Sequence, residues 1–159
     1  MIYVTHRLPV NEPGEPTLDR TAVWRGLVMK ANNALPFVPV MTHCEITARL
    51  DDETFEREIE VFGDRYIERI AMQPQRRVVF TRLSGPVLGT ITNDIEEDAE
   101  GLFLRFSFAL VLADAQSGSP EESAYAEQTT THYVAAVGAT LNAMRRVARG
   151  EAPIALSAT

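Results

Sequence analysis

Two hydrophobic periods follow one another along this chain, and their order constrains the fold most. Between residues 41 and 113 apolar and polar residues alternate in six short runs separated by turn residues, a pattern that predicts an antiparallel meander. From residue 120 the period becomes helical and continues for about 28 residues, or roughly 42 Å. A sheet with one apolar face needs a cover, and a helix of this length reaches across it. The runs are residues 41–50, 54–62, 65–73, 76–83, 87–97 and 102–113.

A strand and a shorter helix are predicted before the meander. Residues 2–10 alternate and indicate a first strand, and Asp19 can cap a helix that stops before Pro36. The apolar residues of that helix are Val23, Trp24, Leu27, Val28 and Ala31. Residues 37–40 are expected as a short irregular or one-turn helical connection. The prediction is therefore an α+β fold forming a single domain over residues 1–150, with residues 151–159 as a flexible tail.

Composition excludes several classes of function. The chain has 159 residues and a net charge of −7, with a single lysine, Lys30, so we expect no basic face for nucleic acid. No apolar run approaches the ~18 residues of a membrane span, and the N-terminus lacks a signal-peptide pattern, which predicts a cytoplasmic protein. One cysteine, Cys44, excludes an intrachain disulfide. We expect no metal or cofactor; a homodimer is left open.

The hairpin between the second and third runs places two opposite charges on an inward face. A two-residue turn at Gly63 and Asp64 would put Phe62 opposite Arg65. Arg57 and Glu68 are then diagonal neighbours. They are either a structural ion pair, partly buried or wet at the sheet edge, or a polar anchor for an otherwise apolar ligand. The predicted inner face consists of Phe55, Arg57, Ile59, Val61, Tyr66, Glu68, Ile70 and Met72.

The last strand and the long helix predict a cavity between them. Ser119, Pro120 and Glu122 form an N-terminal capping signal for the helix. Small side chains at Ala136 and Thr140 face large apolar side chains of the sheet and leave volume unfilled. The helix stripe is Tyr125, Thr129, Tyr133, Ala136, Thr140, Met144 and Val147, and the inner face of the strand is Leu102, Leu104, Phe106, Phe108, Leu110 and Leu112.

Further side chains are candidates for the cavity wall. Asn93 shares the parity of Ile91 and Ile95, so it should point inward and either meet a ligand or be satisfied within the core. Tyr66, Tyr125 and Tyr133 can each place a phenol at the wall, although tyrosines in such positions are more often core residues with one end in water. The candidate ligand-binding residues are Arg57, Tyr66, Glu68, Asn93, Phe106, Phe108 and Tyr133.

Histidine chemistry is weakly supported by the sequence. His132 lies beside the inward stripe of the long helix and could act as an acid or base, although a histidine at this place is more often solvated. No two histidines have metal-ligand spacing on one element. The sequence therefore predicts no metal site and assigns no catalytic residue.

Several short stretches also resemble a known family. Leu18-Asp19-Arg20, Val23-Trp24-Arg25-Gly26-Leu27-Val28, Lys30-Ala31-Asn32 and Phe37-Val38-Pro39, with residues 57–63, 102–106 and the C-terminal helix, resemble the AtaL-like group. That group lies within the helix-grip superfamily of START domains, polyketide cyclase/aromatases and birch-pollen-type allergens. The glycine-rich loop of the pollen-type members is missing here. The resemblance implies a cavity for a small hydrophobic ligand and no settled activity.

Three functions remain open at this point. The first is a binding module for a small apolar or aromatic molecule. The second is an enzyme of cyclase, aromatase or dehydratase type acting on a polyketide-like substrate in the same cavity. The third is an interaction protein, which would have a solidly packed interior.

Overall fold

A computed structural model describes residues 1–151. Its elements are β1 (Ile2–Pro9), α1 (Arg20–Asn32), β2 (Met41–Arg49), β3 (Thr54–Val61), β4 (Asp64–Gln73), β5 (Arg77–Ser84), β6 (Val87–Asp98), β7 (Gly101–Leu112) and α2 (Pro120–Ala148). The predicted tail, apart from residue 151, lies outside the described residues.

The seven strands of residues 1–151 form one antiparallel sheet in the order β1-β7-β6-β5-β4-β3-β2. The sheet is a meander from β2 to β7, and β1 adds to the edge of β7, with Ile2 opposite Leu110. The long helix α2 covers one face, which confirms the predicted helix-grip α+β fold. Within the described residues, no helix has the length and hydropathy needed to cross a bilayer.

Both helices begin where the sequence predicts. The Asp19 side chain accepts a hydrogen bond from the backbone N–H of Ala22, and the Ser119 side chain accepts one from that of Glu122. The Glu122 carboxylate accepts from the N–H of Gly118 at 3.0 Å, one residue before the position that a standard capping box uses. Side-chain caps thus define the start of α1 and α2.

The predicted register of the β3–β4 hairpin is wrong by two residues. Val61 lies opposite Asp64, so the turn consists of Phe62 and Gly63, with φ of 52° and 81°, rather than Gly63 and Asp64. A two-residue loop with both φ values positive matches the twist of the strands it joins. A shift of two residues keeps every side chain on its predicted face, because the side-chain period is also two. Arg57 therefore lies directly opposite Glu68 rather than diagonal to it.

The core fills the space between the sheet and the C-terminal half of α2. Val137, Leu141 and Met144 of α2 are buried against the inner faces of the strands. Val147, which was predicted in the buried stripe, is 43% exposed, because the buried line of α2 passes through Val137 and Leu141 instead. Among the largest fully buried side chains are Leu27, Phe55, Ile59, Ile70, Leu104, Phe106, Phe108 and Leu110.

Candidate functional site

A cavity of about 630 Å³ lies between the sheet and the N-terminal half of α2. This confirms the predicted cavity and argues against the solid interior of the interaction-protein alternative. Its strand side is mostly apolar and includes Ile59, Phe80, Val87 and Ile91; its helix side includes Tyr125, Thr129, Tyr133, Ala136 and Val137. Five of the exposed lining residues define the part of the opening that we call the mouth: Phe62, Asp64, Asp114, Glu121 and Gln128.

Four charged side chains at the cavity wall form what we call the buried charge cluster. They are Lys30 of α1, Arg57 of β3, Glu68 of β4 and Arg82 of β5, and none is more than 9% exposed. Buried charges are costly unless they are paired and hydrogen-bonded. The partners of each member therefore indicate what the cluster can do.

Arg57 and Glu68 form the paired centre of the cluster. Nε and Nη2 of Arg57 both lie 3.0 Å from Oε1 of Glu68. Nη1 of Arg57 donates to the backbone carbonyls of Lys30 and Ala31, at 3.1 and 2.8 Å. These carbonyls belong to the last turn of α1 and have no helical donor available. Arg57 thus joins the end of α1 to the sheet and uses all three of its nitrogens in doing so.

Arg82 lies opposite Glu68 and is held only loosely. Its Nε is 3.7 Å from Oε2 of Glu68 and has no hydrogen-bond partner among residues 1–151. The guanidinium carbon lies 4.1 Å from the centre of the Tyr66 ring, a cation–π contact. A β-bulge follows this pair of residues. Ile67 of β4 lies opposite Ser84 of β5, so Leu83 has no partner on β4. This bulge turns Leu83 to solvent while Arg82 stays inward.

Lys30 completes the cluster from the end of α1. Its Nζ donates to Oδ1 of Asn93 at 2.9 Å and lies 5.7 Å from the centre of the Phe80 ring. Burial, together with the nearby positive charge of Arg57, lowers the pKa of Lys30 from 10.5 to about 8, against an opposing effect of Glu68. The amine can therefore gain or lose a proton close to neutral pH.

The lowered pKa of Lys30 predicts a rise in stability at alkaline pH. Because the folded pKa lies below the unfolded value, the unfolded chain binds the extra proton between pH 8 and 10.5, and folding becomes more favourable as pH rises there. We expect the free energy of unfolding to increase by about 2 kcal/mol from pH 7.5 to 9.5. Urea unfolding at several pH values measures this increase. Lys30→Met should remove it, and an equal increase in that variant would contradict the assignment.

Aromatic side chains complete the wall and the mouth. The Tyr133 ring lies 5.9 Å from Phe106 and 4.9 Å from Phe108, centre to centre. Burial raises the pKa of the Tyr133 phenol above its usual range, so the group stays protonated and can donate a hydrogen bond. At the mouth, the exposed Phe62 ring lies 4.8 Å from the ring of His132. Within residues 1–151, histidine, cysteine and carboxylate side chains form no group of three suited to a metal ion.

Comparison with known proteins identifies the family. The sequence matches the family described as acetylaranotin biosynthesis cluster protein L, AtaL, over residues 4–150. The chain belongs to the AtaL family. Among curated proteins, no sequence matches this AtaL-family chain.

Solved structures share the fold of this AtaL-family chain at low sequence identity. The ZhuI aromatase/cyclase from Streptomyces sp. R1128 is 17% identical, with a TM-score of 0.67 over 91% of this chain and 94% of that one. The protein TTHA0849 from Thermus thermophilus is 14% identical, with a TM-score of 0.70 over 92% and 97%. A START superfamily protein from Mycobacterium smegmatis is 14% identical, with a TM-score of 0.61 over 85% and 93%. At these identities the likeness shows the fold alone.

The candidate residues predicted from sequence fall into two groups in the AtaL-family structure. Arg57, Tyr66, Glu68 and Tyr133 line the cavity. The other three are buried behind the wall: Phe106 and Phe108 pack against the Tyr133 ring, and Asn93 accepts the hydrogen bond of Lys30. Ligand binding by all seven stays a prediction.

Lys30 and Arg82 are the members of the buried charge cluster that sequence reasoning missed. In both cases the periodic pattern of the sequence indicates an inward-facing position. Lys30 is the only lysine of the chain and follows the buried Val23 and Leu27 at helical spacing. Arg82 follows the buried Phe80 by two residues on one strand, so alternation alone places it inward.

Proposed function

We propose that this AtaL-family protein binds a small hydrophobic or aromatic molecule in the cavity between the sheet and α2. The observation that carries the proposal is the cavity itself. Its volume of about 630 Å³ falls in the range of roughly 300–1,000 Å³ that small-molecule sites occupy. Its wall is mainly apolar, with a few polar groups at one place, which is the usual composition of such sites.

Filling the cavity tests this proposal. Ala136 of α2 lines the cavity, so we expect Ala136→Phe to weaken uptake of the neutral dye N-phenyl-1-naphthylamine at least tenfold. The reason is that a phenyl group would occupy the volume otherwise available to the dye. Fluorescence titration measures the uptake.

The matched control is the same substitution on the exposed face of the same helix. Ala124 is exposed and does not line the cavity, so Ala124→Phe should bind the dye like the wild type. Circular dichroism confirms that both variants fold. Wild-type protein that takes up no dye, or equal uptake by Ala136→Phe and wild type, would refute a binding cavity at this place.

A second candidate function is an enzyme of cyclase, aromatase or dehydratase type. It is favoured by Lys30, whose lowered pKa lets the amine exchange a proton near neutral pH, and by His132, an imidazole that also lines the cavity. A neighbour in fold is itself an aromatase/cyclase. Incubation with a poly-β-keto thioester, followed by chromatography, tests this function. Turnover that His132→Ala or Lys30→Met abolishes while dye uptake is retained would support catalysis over simple binding.

A further inference from the structure

The buried charge cluster contains more positive than negative charge. Lys30, Arg57 and Arg82 are cations, and Glu68 is the one anion of the cluster. Burial disfavours an ion without a partner, so an excess of buried cations is costly while the cavity holds only water. An anion entering the cavity would lower that cost.

Arg57 cannot be the group that receives such an anion. Its three nitrogens already contact the Glu68 carboxylate and the carbonyls at the end of α1. The nearer oxygen of Glu68 is likewise taken by Arg57. The Arg57–Glu68 pair therefore has a structural role and supports the neighbouring groups.

Lys30 and Arg82 keep unused donors at the cavity wall. An ammonium has three N–H groups, and the one hydrogen bond of Lys30 within the described residues goes to the neutral amide oxygen of Asn93. Arg82 is only 8% exposed, yet its Nε has no acceptor in residues 1–151. Both residues line the cavity. Ammonium and guanidinium N–H groups both donate to carboxylates, and a guanidinium can do so with two parallel hydrogen bonds.

We propose that Lys30 and Arg82 bind the carboxylate of an apolar carboxylic acid whose hydrocarbon part fills the rest of the cavity. This inference rests on the proposed function and names the ligand class for the same cavity. The apolar part would lie against side chains such as Ile59, Phe80, Val87 and Ile91. Tyr133 supplies a neutral phenol at the same wall.

Carboxylates at the mouth do not oppose this assignment. Asp64, Asp114 and Glu121 line the opening and are exposed to solvent. Charges in water are screened over a distance of about 8–10 Å at physiological salt. We expect them to slow the entry of an acid more than they weaken its binding to the buried cations, which are screened much less.

A matched pair of ligands tests the inference. Dodecanoic acid and dodecan-1-ol differ at one end only, and each can be titrated against bound N-phenyl-1-naphthylamine at pH 7. We expect wild-type protein to bind the acid at least tenfold more tightly than the alcohol. In Arg82→Gln and in Lys30→Met this preference should fall to about threefold or less.

Three controls make the result specific. Arg82→Lys keeps a positive charge at the position and should keep most of the preference. Arg69→Gln removes an exposed arginine from the outer face of β4 and should have no effect. Between pH 7 and 9.5 the preference of the wild type should decline, because Lys30, which shares the cluster with Arg57 of β3, Glu68 of β4 and Arg82 of β5, loses its proton.

The outcomes separate this inference from the proposed function. If the dye binds but acid and alcohol compete equally, or neither competes, the carboxylate assignment is wrong and the cavity proposal stands. A preference for acid that persists in both Arg82→Gln and Lys30→Met would also overturn the assignment. Wild-type protein that binds no dye, acid or alcohol would overturn both proposals.

Discussion

Glu68→Gln should destabilise the folded protein by about 3–5 kcal/mol, the usual consequence of removing one partner from a buried ion pair. The reason is local. Glutamine keeps one oxygen that can accept from Arg57, but it removes the negative charge and replaces the oxygen nearest Arg82 with an NH2 group, which is itself a donor. Three cations would then share one buried region with no negative charge. Urea unfolding followed by the fluorescence of Trp24, the single tryptophan, measures the loss.

A matched variant on the neighbouring strand separates burial from loss of charge as such. Glu58 of β3 lies on the outer face and pairs with Arg65, so Glu58→Gln should cost less than about 1 kcal/mol. If Glu68→Gln folds too poorly to measure, the double variant Glu68→Gln with Arg82→Gln should recover part of the stability. The second substitution removes a buried cation that no longer has an anionic partner. Equal stability of Glu68→Gln and wild type would show that the cluster is well hydrated.

Gly89→Ala is the second substitution with a large expected effect. Gly89 lies in β6 between Arg82 of β5 and Leu110 of β7, with φ of 131°. Only glycine adopts such a backbone without strain, and a Cβ here would overlap the carbonyl oxygen of Ala109. A backbone atom within a paired strand cannot move aside as a flexible side chain can. We expect a loss on the order of 3 kcal/mol, measured by the same unfolding experiment.

The control for this substitution is another glycine with the opposite expectation. A Cβ at Gly138 of α2 would meet no atom within 4 Å, and its backbone is helical. Gly138→Ala should therefore stabilise the protein by about 0.5–1 kcal/mol. Destabilisation by both changes would mean that small size, and not backbone conformation, is what these positions require.

The faces of the β3 and β4 side chains were predicted correctly because the error in register was two residues, which equals the side-chain period of a strand. The β3–β4 turn was placed one residue too late, since a bulky residue such as Phe62 is rarely found at positive φ. Gly63 and Asp64 fit the turn chemistry better when only the sequence is considered. The structure shows what accompanies the exception: the Phe62 ring lies against His132 at the mouth. That contact joins elements about 70 residues apart, so local reasoning could not supply it.

Only half of the buried charge cluster was predicted from sequence. Arg57 and Glu68 were recognised because their opposite charges fall on one inward face of a single hairpin. Lys30 and Arg82 were not, because long cationic side chains are usually exposed and the periodic pattern alone does not overrule that expectation. Their burial depends on how α1 ends against the sheet and on the bulge beyond Arg82, and both are properties of the assembled fold.

The pairing of β1 with β7 also has a consequence for how the chain folds as it is made. In the sheet formed by residues 1–151, β1 pairs with β7 and with no other strand, so the first strand has no strand partner until roughly 100 further residues have been made. At a synthesis rate of about 5–20 residues per second that wait lasts on the order of ten seconds. The meander from β2 to β6 can form meanwhile by local hairpins, whereas closing β1 onto β7 is a long-range step and should come late. Arg145 of α2, which donates to the carbonyl of Val10 just after β1 at 2.8 Å, can secure that strand only once α2 has been made.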